Sequence, residues 1–374
     1  MSKHLVIVGA GHAHLTLLKR MAELTEQGHR ATVISKGAFH YYSGMGPGMI
    51  SGAYTPAEIR FHVRQMTESR GGLFLEDAVV RIDPEGRRLI LKSGGEIGYD
   101  VVSFNTGSRV DFDIPEAYRN RFVFPVKPIH SLVQAREELK KALEKTSLTL
   151  CIAGGGPAGV EISANLCELV KQVNGEADII LLAGKRLLSG MGNRVRKKVL
   201  QSLTDRGVSV REGVGLKDIA EKEAVSTDGS RIKCDYLFPA VGVAPSPMFR
   251  ESGLPVADDG GLRVNRFLQS VSFPEIYGGG DCIAFDPRPI DRVGVYAVRE
   301  NPILFENISA SLAGSRDFQT FKPQKSFLLI LNMGNGTGIA QWKSLVWQGR
   351  SAFLLKDYID RKFMSRFQVS GEQS

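Results

Sequence analysis

Two glycine clusters stand where a backbone can close on a phosphate chain. The stretch Lys3-His4-Leu5-Val6-Ile7-Val8-Gly9-Ala10-Gly11-His12-Ala13-His14-Leu15 reads as a buried strand, a glycine turn and a helix predicted over about 13–27. Gly9 permits the tight turn, Gly11 admits close approach of a pyrophosphate, and the helix aims its first N–H groups at that charge. The arrangement recurs at Leu148-Thr149-Leu150-Cys151-Ile152-Ala153-Gly154-Gly155-Gly156-Pro157-Ala158-Gly159-Val160-Glu161, now with all three motif glycines, Gly154, Gly156 and Gly159, and with Pro157 suited to the first helical turn. A strand–helix turn without ligand is the plainer alternative.

The groups around these turns are less regular. A dinucleotide fold carries an acid at the end of its second strand, to bond a ribose. Here the predicted strand 30–35 ends at Ser35-Lys36, and the strand 178–182 runs into Ala183-Gly184-Lys185-Arg186, so the acid is missing twice. Lys185 and Arg186 suit a ribose 2′-phosphate and so favour NADPH, or are solvated surface charges. His14 occupies the first motif's third glycine position. Glu161 is placed in the first turn of its helix, where it flanks a nicotinamide or offsets the helix dipole. Asp281 follows Gly278-Gly279-Gly280 at a strand end, to bond a polyol or to cap the next helix. The stretch 42–49 is rich in Gly and Pro and is predicted to lack regular structure, as an aromatic-ligand loop or a surface loop. Cys151, Cys167, Cys234 and Cys282 show no paired spacing, which argues against a zinc site, a disulfide framework and a dithiol centre; no metal site is expected.

The elements that must position these groups follow one plan, written twice. Alternation over 73–91 predicts a hairpin around Asp83-Pro84-Glu85-Gly86, and a buried strand then ends at Asn105-Thr106-Gly107. The same hairpin pattern returns over 208–235, followed by Tyr236-Leu237-Phe238-Pro239-Ala240-Val241-Gly242. The expected fold class is α/β, with two nested Rossmann-like dinucleotide-binding domains. At 374 residues the chain has room for two or three domains, and its net charge of +8 is spread rather than clustered, which argues against nucleic acid. Disorder is expected only at 370–374. No apolar run is long enough to span a bilayer and no signal peptide precedes the first strand, so a cytoplasmic location is expected, with the inner membrane face as a variant of it.

These residues resemble the flavoproteins with two dinucleotide-binding domains, the pyridine nucleotide–disulfide oxidoreductase superfamily. Within it the chain looks most like type II NADH dehydrogenases, and most of all like the flavoprotein module found fused to selenophosphate synthetase in some proteins. The local matches are His12-Ala13-His14, Tyr42-Ser43-Gly44-Met45 with Pro47-Gly48, Gly294-Val295-Tyr296-Ala297-Val298-Arg299, and Lys356-Asp357-Tyr358-Ile359-Asp360-Arg361-Lys362-Phe363-Met364. The resemblance implies that Gly9, Gly11, His12 and Ala13 hold the FAD pyrophosphate. Ser35 and Lys36 then meet the adenosine ribose, the backbone of Val79 meets adenine, and Ser43, Gly44, Asn105, Thr106 and Gly107 line the cofactor. It further implies that Gly280 and Asp281 form the Gly-Asp motif bonding the ribityl chain, and that Ala297 and Val298 open a helix facing the flavin ring. Gly154, Gly156, Pro157, Ala158 and Gly159 would bind NAD(P)H. The superfamily's disulfide reductases use a Cys pair near the flavin, which this chain lacks.

The expected domains are 1–112 with 256–325 for FAD, 113–255 for NAD(P), and a C-terminal interface segment over 326–374. The expected function is FAD-dependent NAD(P)H oxidation, with hydride passing from nicotinamide C4 to flavin N5 and electrons leaving to a second acceptor, a quinone. Glu161, Lys127 and Arg299 are the candidate catalytic residues; surface or interdomain placement is the alternative for Lys127. The competing function is a flavoprotein redox sensor or an electron-delivery partner in selenium metabolism, with little turnover. A helix over 350–367 carries Leu355, Ile359 and Phe363 at four-residue spacing among basic residues, to dock on a membrane or to pack on the protein's own core. A homodimer is left as an open expectation.

Overall fold

The computed structural model describes residues 1–372. Its first sheet is five-stranded and parallel, in the order Ile276–Gly278, Val101–Phe104, His4–Val8, Arg30–Ser35, Leu73–Glu76. Val101–Phe104 and His4–Val8 are buried almost throughout, as apolar runs covered on both faces must be. The second sheet, Ser209–Arg211, Ala177–Leu182, Leu148–Ala153, Tyr236–Pro239, repeats this order with four strands. All of its strands lie in sequence between strands of the first sheet, so one dinucleotide-binding unit is nested in the other. Each unit carries a three-stranded antiparallel insert: Val79–Asp83, Arg88–Leu91 and Glu96–Gly98 in the first, Leu216–Ala220, Glu223–Ser226 and Arg231–Lys233 in the second. Arg109–Val110 and Val243–Ala244, which flank the second unit in sequence, pair with each other.

Several sequence expectations need correction. Leu73–Glu76 is no hairpin arm; it is the parallel edge strand of the first sheet, and the hairpin begins at Val79. The first helix is broken into a 3-10 turn His12–His14 and two short helices, Leu15–Lys19 and Met21–Thr25. A regular helix, Gly46–Ile50, forms inside the stretch expected to have none. Pro47 sits in its first turn, where it removes no intrahelical bond, and a Cβ on Gly48 would lie 2.6 Å from the Tyr54 ring. Met248–Glu251 packs beside the hairpin of the first unit, with the Ile82 N–H donating to Ser252 Oγ at 2.9 Å.

The C-terminal segment spans both units. The antiparallel strands Leu329–Asn332, Gly338–Trp342 and Leu345–Gly349 lead into the helix Arg350–Phe367, whose bounds match the sequence expectation. Its anticipated stripe is divided. Phe363 turns inward against Tyr42, ring centroids 4.9 Å apart, whereas Leu355 and Ile359 stay 36% and 43% exposed. The face packed inward carries Ala352, Lys356, Asp360, Met364 and Phe367. Ser370 and Glu372, expected to be disordered, are buried, and the Glu372 carboxylate accepts the His62 and Ser370 N–H groups. The rest of that expectation, residues 373–374, lies outside the described residues.

Candidate active site

The first glycine turn closes on a strand end. Gly9 has φ +79°, and a Cβ on it would lie 2.4 Å from the Asn105 carbonyl oxygen. The Asn105 side chain fills the space beside Gly11 and Gly280, with Oδ1 2.5 Å and 2.6 Å from Cβ positions there. Thus Gly9, Gly11, Asn105 and Gly280 meet at one point. Three buried polar atoms around it have no partner: His12 Nε2, Asn105 Nδ2 and Glu300 Oε1. Each such orphan costs about 1–3 kcal/mol if left unmet. Together with a cradle that a Cβ would fill, they fit a phosphate- and hydroxyl-rich dinucleotide. His14 explains its own irregular place. Its Nδ1 lies 2.6 Å from the Gly9 carbonyl oxygen and its Nε2 2.8 Å from Ser103 Oγ, so it ties the turn to the neighbouring strand. Burial pushes His12 and His14 down to about 4, leaving neutral imidazoles.

Beside this turn, Lys127 Nζ lies 2.5 Å from Asp281 Oδ2 and 2.7 Å from Ser108 Oγ, and Ser108 donates to the same oxygen at 2.8 Å. Burial works to raise the Asp281 carboxyl, but the Lys127 charge and the two bonds outweigh it and hold Asp281 below the ordinary range. Both bonds fall on Oδ2. The helix Gly294–Leu312 starts three residues before Ala297, whose Cβ would be 3.5 Å from one at Gly280. Val298 follows Ala297 in the first turns, and Ser43 Oγ is 3.9 Å from a Cβ position on Gly294. Arg299 is exposed on this helix.

A cleft of 710 Å³ brings Lys36 and Val79 together, with Glu76, Asp77 and Lys92. Register pairs Ser35 with Glu76, so an acid stands at the end of the neighbouring strand, beside the position where the second strand lacks one. Glu76 is held by Arg64 at 2.6 Å. The second unit repeats the device. Ala183 has no acid, and Glu212, just past the paired strand Ser209–Arg211, accepts the Leu187 N–H at 2.7 Å and pairs with Arg196 at 2.6 Å. Sequence reasoning missed both acids, because strand register alone reveals them. Lys185 and Arg186 are exposed beside this turn, and Arg186 bonds the Asn193 side chain. The turn itself is tight: a Cβ on Gly159 would fall 1.8 Å from the Gly154 carbonyl oxygen, which makes that glycine obligatory.

Glu161 is not in the first helical turn; it is the fifth residue of Pro157–Gln172, and the dipole reading fails with that placement. Its Oε1 accepts the Asn332 N–H at 2.8 Å. Burial pushes its carboxyl up to about 7, against the pull of Lys356 and the Asn332 bond. Lys356, 8% exposed, donates to the Gly44 carbonyl and lies 2.5 Å from Asp360 Oδ2, while Tyr42 donates to Asp360 Oδ1 at 3.0 Å. The His12 ring stands 5.1 Å from Tyr42. Lys356, Asp360 and Tyr42 therefore form one bonded set between the C-terminal helix and the stretch 42–44, and Glu161 of the second unit's helix feels the Lys356 charge. Sequence reading placed Lys356 among the outer charges; the structure puts it inside. The four cysteines are free, and burial pushes the Cys282 thiol up to about 11.

A family model described as pyridine nucleotide-disulphide oxidoreductase matches residues 3–300. The chain belongs to this family. Among curated relatives, Ferroptosis suppressor protein 1 of Taeniopygia guttata is 29% identical over 285 residues, covering 72% of each chain. A probable NADH dehydrogenase of Dictyostelium discoideum is 22% identical over 310 residues, 75% of this chain and 68% of that one. Among solved structures, NDH2 from Plasmodium falciparum in complex with NADH superposes with a TM-score of 0.82 at 15% identity, covering 99% of this chain and 98% of that one. The family and the paired glycine turns make this an oxidoreductase that uses FAD and NAD(P)H.

Proposed function

We propose that the protein oxidises NAD(P)H and delivers the electrons to a quinone at the face closed by the C-terminal segment. The observation that carries this reading is the bonded set Lys356, Asp360 and Tyr42, which holds the C-terminal helix against the stretch 42–44, with Glu161 of the second unit's helix under the Lys356 charge. FAD held at the first turn would supply the hydride- and electron-transfer chemistry between the nicotinamide and the acceptor. Gly9, Gly11, Asn105 and Gly280 would hold its phosphate chain and the Asp281 carboxylate would order the ribityl hydroxyls, while Lys127 keeps that carboxylate ionised. Glu161, with a pKa near neutrality, holds or releases a proton beside the acceptor. Lys185 and Arg186 supply a 2′-phosphate contact and a preference for NADPH. Relatives named for NADH oxidation support the dehydrogenase half. The two units are divided at the paired strands 109–110 and 243–244.

Membrane contact belongs to the same reading. Leu354 and Tyr358 are each 62% exposed on the C-terminal helix, next to Leu355 and Ile359, and Trp342 and Leu345 extend the apolar surface. Arg350, Lys362 and Arg366 provide cations for anionic lipid. The decisive experiment is anaerobic titration of the purified yellow protein with NADH and NADPH, followed by a soluble quinone. Bleaching by a nicotinamide and recovery with the quinone are expected. No bleaching by either nucleotide would leave the redox-sensor reading.

A further inference from the structure

Glu300 is a fully buried carboxyl in the helix Gly294–Leu312, and among the described residues no cation is bonded to it. Its Oε2 accepts the Gly280 N–H at 2.5 Å, and its Oε1 has no partner. The carboxyl lies against the Gly279–Gly280 turn, which itself packs on Ala13 just past the Gly9–Gly11 turn: a Cβ at Gly279 would stand 3.2 Å from Oε2 and 2.8 Å from the Ala13 Cβ. The neighbouring groups supply little positive charge. From the turn at Gly280–Cys282 come Asp281, already paired with Lys127, and Cys282; from His12–His14 come two neutral imidazoles; on its own helix Arg299 is exposed. Burial, aided by the Asp281 charge, pushes Glu300 up to about 7 against the Gly280 bond.

We propose that Glu300 is a positioning residue of the FAD site that works as a neutral carboxylic acid, so that FAD is retained only while the acid keeps its proton. This rests on the FAD reading. A dinucleotide brings two phosphate charges to the Gly9–Gly11 turn. An ionised carboxylate at Gly279–Gly280 repels them across a dry interior, whereas an acid adds no charge and can donate from Oε1 to a cofactor oxygen. The two equilibria are linked. Bound FAD raises the affinity of Glu300 for its proton, and above neutrality FAD binding takes one up.

The test titrates FAD into full-length, flavin-depleted protein, with flavin fluorescence as the readout. The dissociation constant is expected to rise by up to about tenfold per pH unit between roughly pH 7 and pH 9. Glu300→Gln, which keeps a donor and an acceptor but has no proton to lose, should bind FAD tightly with a flat profile. Glu161→Gln, which removes the other acid of similar pKa, should keep the slope. Equal affinity for FAD in the wild type at both ends of the range overturns the proposal, as does an unchanged slope in Glu300→Gln. Should that variant not fold, calorimetry of the wild type at about pH 8 in two buffers of different ionisation heat decides: about one proton taken up per FAD is expected, and none overturns the proposal. Absence of FAD binding at every pH would instead overturn the FAD reading itself.

Discussion

The Lys127 ammonium lies 2.5 Å from the Asp281 carboxylate, although the two residues are 154 positions apart. Lys127 comes from the segment entering the second unit and Asp281 from the first, so one ion pair fastens the units together at the cofactor site. The side chains are 26% and 15% exposed. Lys127→Ala should lower flavin occupancy and cost about 1–3 kcal/mol, less than the 3–5 of a fully buried pair. Flavin absorbance per protein and thermal unfolding would measure both. Full occupancy with an unchanged melting temperature would remove Lys127 from the site.

Glu161 and Glu300 should make stability depend on pH in one direction. Each is raised from 4.5 to about 7 in the folded protein. Between these values the native state holds protons that the unfolded chain has released, so this contribution is complete below about 4.5 and is lost as pH rises toward 7. The limit is on the order of 3 kcal/mol per acid. His12 and His14, lowered to about 4, act in the opposite sense over the same window. The comparison is therefore wild type against Glu161→Gln and Glu300→Gln, by thermal unfolding at about pH 5 and pH 7. The Gln variants should lose less stability over the interval, and parallel curves would contradict the assignment.

Coenzyme choice rests on Lys185 and Arg186. Replacing both with Ala should raise KM for NADPH by about tenfold or more, since a charged hydrogen bond contributes about 1.5–3 kcal/mol, and leave KM for NADH nearly unchanged. A protein that never distinguished the two nucleotides would show equal effects.

Membrane docking is best tested by surface substitutions. Removing the C-terminal helix would also remove buried Phe367 and Glu372. Leu354→Ser with Tyr358→Ser changes side chains that are 62% exposed, so the melting temperature should hold. Sedimentation with anionic liposomes should fall severalfold, and the remainder should be salt-sensitive. Unchanged sedimentation would leave the helix as part of the core alone.

The doubled plan was legible because each unit announces itself by an apolar run, glycines and a strand ending in small residues. The C-terminal helix was legible to the residue. Glu76 and Glu212 were not, since they come beside Ser35 and Ala183 only through strand pairing. Lys356 reads as one more basic residue of an amphipathic helix; only the packing of Tyr42 and Gly44 over Lys356 and Asp360 shows that they are inside. Glu300 carried no local signal at all. A carboxylate in a helix is common, and its burial depends on the Gly279–Gly280 turn it bonds and on the packing of that turn against Ala13, nearly three hundred residues earlier.

The helix Arg350–Phe367 is fastened at both ends, by the sheet ending at Gly349 and by Glu372 on the strand Arg60–His62. Its outward residues are consequently pre-organised. The conformational entropy of fixing them, about 1–2 kcal/mol per residue, is lost when the protein folds rather than when it meets another surface. Adsorption by this face should thus resemble a rigid plate settling rather than a tail winding into a helix, and circular dichroism should show no gain of helix upon contact.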